Sequence, residues 1–307
     1  LHDAEPLRLA DTPPHPSPLP AGGERERTAL VTATDSLASQ TFAANRAVGE
    51  VAVAVRVVDG VTRRGAVHEA GSLRVRFPSP EQQGLSAVLV NTAGGVAGGD
   101  RFSVALDVRE GARLTLTTAA AEKVYRSHGP AAELDIALKV AAGGHLAWLP
   151  QETILFDQAR AERRIEINLA TGASLLLCES VVFGRSAMGE TMRTGRFVDR
   201  WRLRVGGKLV FAETVRLDGD IAALLARPAV AKGGVAVATA LIVPGDAALV
   251  ERLREDAEAF GAEVGITAWN GIAMARFCAQ DAAKLRADMV AVLRRAAGRA
   301  LPRLWFS

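Results

Sequence analysis

The chain has 307 residues, 49% hydrophobic and 23% charged, with a formal net charge of +3 and a pI of ≈ 9.2. That is enough apolar material for one large packed domain or two small ones. No uninterrupted apolar run reaches the ~20 residues of a membrane helix, and no clustered basic face of the kind that binds nucleic acid is present. Cys178 and Cys278 lie far apart with no CxxC motif, which fits a reducing cytosol. The N-terminus carries no apolar signal core. The expected location is the cytoplasm, with neither membrane nor nucleic acid as a partner.

Residues 1–36 hold Pro13, Pro14, Pro16, Pro18 and Pro20, then Gly22 and Gly23 with mixed charge. Nothing there can bury a face, so the leader is expected to be disordered.

From Gln40 the pattern turns to short alternating runs. They read EVAVAVRVV at Glu50–Val58, SLRVRF at Ser72–Phe77, LSAVLV at Leu85–Val90, FSVALDV at Phe102–Val108 and RLTLTT at Arg113–Thr118. LDIALKV follows at Leu134–Val140, HLAWL at His145–Leu149, RRIEINL at Arg163–Leu169, DRWRLRV at Asp199–Val205 and KLVFAETV at Lys208–Val215. Period-2 segments at this spacing predict an all-β body over residues 37–232, as a sandwich, barrel or stacked-sheet solenoid, in a chain that is mainly β. No exact repeat marks a regular solenoid.

After Lys232 the pattern predicts a β-α-β-β-α portion over residues 233–307. A strand at Val235–Val243 leads to a helix capped by Asp246, with Leu249, Val250, Leu253, Ala257 and Phe260 on one face and Gly261 ending it. Asn270-Gly271 predicts a type I′ hairpin between Val264–Trp269 and Ile272–Phe277. A second helix runs from Asp281 to Ala297, with Gly298 after it. The break between the two portions is set at 229–234.

Several stretches carry polar groups worth weighing. NTAGGVAGGD at Asn91–Asp100 places Gly94, Gly95, Gly98 and Gly99 between two strands. It lacks nucleotide-loop spacing, so a tight connection using left-handed φ is the plain reading. EKVYRS sets Tyr125 beside Lys123 and Arg126, a cluster that suits an anion or a partner's carboxylate, or a simple strand end. WLPQETILFD at Trp148–Asp157 brackets a strand with Glu152 and Asp157. Five residues apart on an ideal strand, they point to opposite faces and cannot form an acid–base pair without a bulge. FGRSAMGE at Phe183–Glu190 is no nucleophile elbow, because Met188 follows Ala187 where G-x-S-x-G needs glycine. No closed metal site is legible in the single histidines.

Taken in order, NTAGGVAGGD, TTAAAEKVYRS (Thr117–Ser127), WLPQETILFD, FGRSAMGE and the closing LPRLW (Leu301–Trp305) resemble the urease accessory protein family UreD, also called UreH. The resemblance covers Phe42 to Trp305. Thr92-Ala93 departs from the Pro-Gly that many members carry there, which bears on turn geometry. The resemblance implies a non-enzymatic scaffold of stacked β sheets with two helices. It implies binding to apo-urease and to the helical accessory protein UreF, which recruits the GTPase UreG carrying nickel. It also implies transient passage of Ni²⁺ through a water-filled interior, with no tightly bound cofactor. Carried over by motif, Asp100, Glu179 and Glu213 are the candidate carboxylates of that passage, with Glu152 and Asp157 in reserve. The glycines named above, Lys123, Tyr125, Arg126, Arg185 and Glu190 are candidate partner-contact or structural residues. Two other readings stand beside this one: a β-fold hydrolase using Glu152 and Glu190, which needs both to face one cleft, and a plain adaptor with no ion passage.

Overall fold

The computed structural model describes residues 46–78, 84–185, 188–255 and 257–306. The Pro-rich leader and Ser186 fall outside them. The first strands are β1 (Val48–Val58), β2 (Val61–Gly71), β3 (Leu73–Arg76), β4 (Leu85–Asn91), β5 (Arg101–Val108), β6 (Arg113–Thr118), β7 (Glu122–Val124) and β8 (Ala132–Val140). They continue with β9 (His145–Trp148), β10 (Thr153–Leu155), β11 (Arg160–Leu169), β12 (Ser174–Phe183), β13 (Thr194–Val205) and β14 (Lys208–Asp220). After helix α1 (Ile221–Ala226) come β15 (Ala236–Val243), α2 (Ala247–Arg254), β16 (Glu263–Trp269), β17 (Ile272–Ala279) and α3 (Ala282–Ala297).

One sheet has the order β14-β13-β11-β8-β5-β1-β2, the other β16-β17-β15-β12-β9-β6-β4-β3. The centres of both are parallel: β1, β5, β8, β11 and β13 in the first, β4, β6, β9 and β12 in the second. A third, short ladder stacks β7, β10 and the end of β12. Each circuit of the chain therefore lays a strand on each face and climbs one strand spacing of ~4.8 Å. These are the coils of a β-solenoid, as the mainly β, stacked-sheet expectation held. The coils turn at Gly111, Gly143 and Gly172, with φ of 65°, 65° and 78°. These corners stack on one another, Gly111 N donating to Ala142 O and Gly143 N to Gly172 O.

Alternation along the strands sends Val104, Leu106, Ile136, Leu138, Ile165 and Ile167 into the space between the sheets. The second sheet is buried on both faces. Leu176, Cys178, Ala238 and Ala240 point away from that core and pack under Leu253 of α2 and Leu285, Met289 and Val292 of α3. This explains why β12 is apolar on both faces over Leu175–Cys178 and Val181–Phe183, the signature of a two-side-buried strand, with Glu179 and Ser180 as its interruption. No described helix covers the outer face of the first sheet. Cross-strand ion pairs line it instead, among them Arg164–Asp135 and Arg204–Glu166.

β15 pairs antiparallel with β12 in the same sheet, so hydrogen bonding continues through the 229–234 break. From Arg46 onward the chain forms one compact unit. The Asn270-Gly271 turn has φ of 49° and 77°, the type I′ values its sequence predicts. α3 is capped by Asp281, whose side chain accepts from Ala283 N, and ends at left-handed Gly298. Two expectations need correction. A third helix, α1, lies inside the body expected to be all β, capped by Asp220 and seated by buried Ile221 and Leu225. The helix expected to reach Phe260 ends at Arg254, and a 3₁₀ turn at Ala257–Ala259 carries the chain onward.

Candidate functional site

The glycine loop between β4 and β5 is braced by its own ends. Asn91 Nδ2 donates to Gly95 O at 3.0 Å and its Oδ1 accepts from Ala93 N at 2.9 Å. Asp100 is buried, with Oδ1 accepting from Ala47 N at 2.8 Å and Oδ2 from Ala97 N at 2.7 Å. Gly94 and Gly99 take left-handed φ of 77° and 87°. Gly98 does not, contrary to the expectation from its motif. Its need is space: a Cβ there would fall 1.9 Å from Ser127 Oγ and 2.6 Å from Pro130 O.

The solenoid brings the quoted motifs together in register. Val96 of the loop bridges to Val124, which stands beside Leu155, which stands beside Phe183. One position further on, Tyr125 meets Phe156 edge-on at 5.2 Å, and Arg185, two residues past Phe183, lies over Phe156 at 4.2 Å. Arg185 is held by Glu190, with Nε to Oε2 at 2.6 Å, which raises its pKa through that hydrogen bond. The Tyr125 hydroxyl donates to Gly94 O at 2.8 Å, so the phenol is committed to the loop. Glu122 is half-buried beside Asn91, and burial raises its pKa. Lys123 and Arg126 project outward from this ladder.

The reserve carboxylates have structural partners. Asp157 accepts from the backbone of Arg193 and Thr194 at 2.7 and 3.0 Å, and those bonds lower its pKa against the opposing effect of desolvation. Glu152 pairs with Arg286 of α3 at 2.8 Å. Arg286 also donates to Gln151 Oε1 and to Trp305 O, and Trp305 Nε1 reaches Leu149 O at 3.1 Å. The LPRLW segment thus closes over WLPQE. Glu152 and Glu190 are held by different arginines, Arg286 and Arg185, and share no ion-pair partner.

A sizeable open cavity lies between residues of β11, β12, β13 and β14 on one side and β15, β16 and β17 on the other. It measures ≈ 670 Å³ and is lined by Glu179, Glu213, Arg163, Asp199, Arg276 and Thr239, among others. Of the three candidate passage carboxylates, Glu179 and Glu213 line it. Asp100 is absent from its lining and serves the glycine loop. At the floor, Arg163 from β11 bridges two carboxylates. It bonds Glu179 of β12 through Nη1, and Asp199 of β13 through Nε at 3.0 Å and Nη2 at 2.6 Å. Trp148 Nε1 donates to Glu179 Oε1 at 2.7 Å. All three charged side chains are less than a tenth exposed. Burial raises the Glu179 pKa, with Arg163 and Trp148 opposing it. The two carboxylates hold Arg163 firmly protonated despite its burial. With every member ionised, the group carries one negative charge in excess. At the rim, Glu213 of β14 pairs with Arg276 of β17 across the two sheets. No cluster of three or more His, Cys, Asp or Glu fit to hold a metal ion occurs among the described residues.

Sequence reasoning singled out Glu179 and Glu213 but missed Arg163 and Asp199. Their signal was there: each is a charge on the inward parity of an otherwise alternating strand, Arg163 in register with Asp199.

No helix among the described residues is long and apolar enough to cross a membrane. Residues 47–306 match the family model described as UreD urease accessory protein. A protein named urease accessory protein UreD from Rhodopseudomonas palustris strain HaA2 is 84% identical over 272 residues, 89% of this chain and 98% of its own length. One of the same name from Bradyrhizobium diazoefficiens is 72% identical, again over 89% of this chain and 98% of its own. With the signature motifs stacked on successive coils and matches of this extent, the chain belongs to the UreD family of urease accessory proteins.

Proposed function

We propose that this protein acts in the maturation of urease as a non-enzymatic scaffold. It docks on apo-urease and on a UreF–UreG complex, and Ni²⁺ in transit crosses the cavity lined by Glu179 and Glu213. The name of the family supports the maturation role. The observation that carries the ion-passage reading is the pair of buried carboxylates, Glu179 and Asp199, that share one guanidinium, Arg163, at the cavity floor, with Glu213 at the rim. A buried uncompensated charge is costly unless a cation or water answers it. Carboxylate oxygens hold a divalent ion loosely and release it, whereas thiolates or several imidazoles would retain it. A conduit needs that balance.

The test is Glu179→Gln together with Glu213→Gln. Glu179→Gln leaves Arg163 and Asp199 as a neutral pair, so the fold is expected to survive. Complex formation with UreF and apo-urease should persist while nickel per urease active site falls. Normal nickel loading in the double variant would remove the conduit role. Loss of the complex in proportion to lost activity would favour the plain adaptor.

A further inference from the structure

Among the described residues, four strands end the two sheets: β2 and β14 in the first, β3 and β16 in the second. A free sheet edge is a template for another chain, and proteins guard such edges by shortness, bulges, charge or cover. Three of the four are guarded. β3 has four residues. β2 pairs through a register shift at Val53/Val55 and carries Arg63, Arg64, His68 and Glu69. On β16, Arg254 of α2 donates to the carbonyl of Ile266.

β14 is different. It has 13 residues, and its one register shift lies at Leu203/Arg204, beside the hairpin turn. Its inward residues Glu213, Val215 and Leu217 line the cavity, which opens between this edge and β16. Val215 is 40% exposed and Leu209 47%, comparable to Val61 at 48% and Val67 at 37% on β2. Val230, 45% exposed, lines the same opening. The outward face of β13 and β14 is arginine-rich. Arg196, Arg200, Arg204 and Arg216 pair with Glu162, Glu166 and Asp218. Arg202 adds a further cation, its Nη1 resting on the carbonyls of Trp201 and Glu213.

We propose that the β14 edge is a docking site for an extended segment of a partner protein, added as a further strand. Because side chains alternate along a strand, the chemistry of the occupant follows. Residues on one side are apolar and enter the cavity mouth beside Val215 and Val230. Those on the other are acidic and meet Arg202 and Arg216. Main-chain bonds to the free edge supply the rest of the recognition. The inference rests on the proposed scaffold role only for the identity of the partners tested.

The experiment is amide hydrogen exchange on the full chain, alone and mixed with purified apo-urease or with UreF. In the free protein, alternate amides of Leu209–Asp218 should exchange fast. In one of the two complexes they should slow by at least ~10-fold, in a contiguous alternating pattern. Arg202→Glu with Arg216→Glu should weaken that complex about 10-fold, while the double Lys variant retains it. Thermal unfolding of each variant separates lost binding from lost folding. A complex that forms with β14 exchange unchanged overturns this inference and leaves the scaffold role standing. Protection that rises with this chain's own concentration, with no partner present, assigns the edge to a second copy and also overturns it. Failure to form any complex overturns the scaffold role and this inference with it.

Discussion

Removing the charge of Arg163 should do far more damage than removing that of Glu179, although the two side chains touch. In Arg163→Met the guanidinium is lost and Glu179 and Asp199 remain, both less than a tenth exposed, facing each other without a counter-charge. Breaking a buried ion pair by deleting one partner costs about 3–5 kcal/mol. In a folded unit of this size each kcal/mol moves Tm by roughly 2–4 °C, so the variant should melt about 6–20 °C lower. Glu179→Gln instead leaves a balanced Arg163–Asp199 pair, and a shift within about 2 °C is expected. The pH dependence gives an independent reading. Burial already raises Glu179, and Arg163 is the main group opposing it. Without Arg163 the folded-state pKa climbs further above the unfolded value. Between those two values the folded state holds the proton that the unfolded state has released, so stability falls as pH rises. Arg163→Met should therefore be least destabilised near pH 5 and progressively worse toward pH 8. Differential scanning calorimetry of the three proteins across that range is the assay. Equal Tm losses for Arg163→Met and Glu179→Gln, or a loss in Arg163→Met that does not grow with pH, would refute the charge accounting.

Gly98→Ala should lower folding yield sharply through its clash with Ser127 and Pro130, whereas Gly94→Ala, with open space around its Cβ, should cost only the ~1–2 kcal/mol of a left-handed residue. Denaturant melts of the two separate a steric need from a conformational one. Trp305→Ala removes the lid over Leu149 and should cost about 3–5 kcal/mol, visible as a lower urea midpoint. His145 is pushed down to about 4 by burial and by Arg299 and Arg113. The unfolded chain takes up that proton first as pH drops from about 6.5 to 4, so folded stability falls across this window. His145→Gln should flatten that part of the stability–pH curve, and an unchanged curve would remove His145 as its source.

The local grammar of the chain is legible without coordinates. Alternation marks the strands because one face of each is buried. Asp246 and Asp281 mark helix starts because a carboxylate can take the first free amides. Asn270-Gly271 marks its turn because both positions need positive φ. The motifs point to the family because five of them occur in order. Even the solenoid left a trace, in Gly111-Ala112, Gly143-Gly144 and Gly172-Ala173 at successive corners, but the residues between vary with their own coil and hide the period. α1 was hidden because its apolar run is too short to show a helical face.

Tertiary structure alone decided what the polar residues do. Asp100 and Glu179 look alike in sequence, each a carboxylate beside an apolar strand. Coil stacking gives one to backbone amides of a loop and the other to a guanidinium over a cavity. Arg163 and Asp199 lie a whole coil apart and become neighbours only because β11 and β13 pair in register. The same stacking sets Tyr125, Phe156 and Arg185 face to edge, though some thirty residues of chain separate each from the next. Strand periodicity is a property of nearest neighbours along the chain, and so the sequence carries it. Which side chains meet across strands depends on register between segments far apart, and only the assembled sheets fix that.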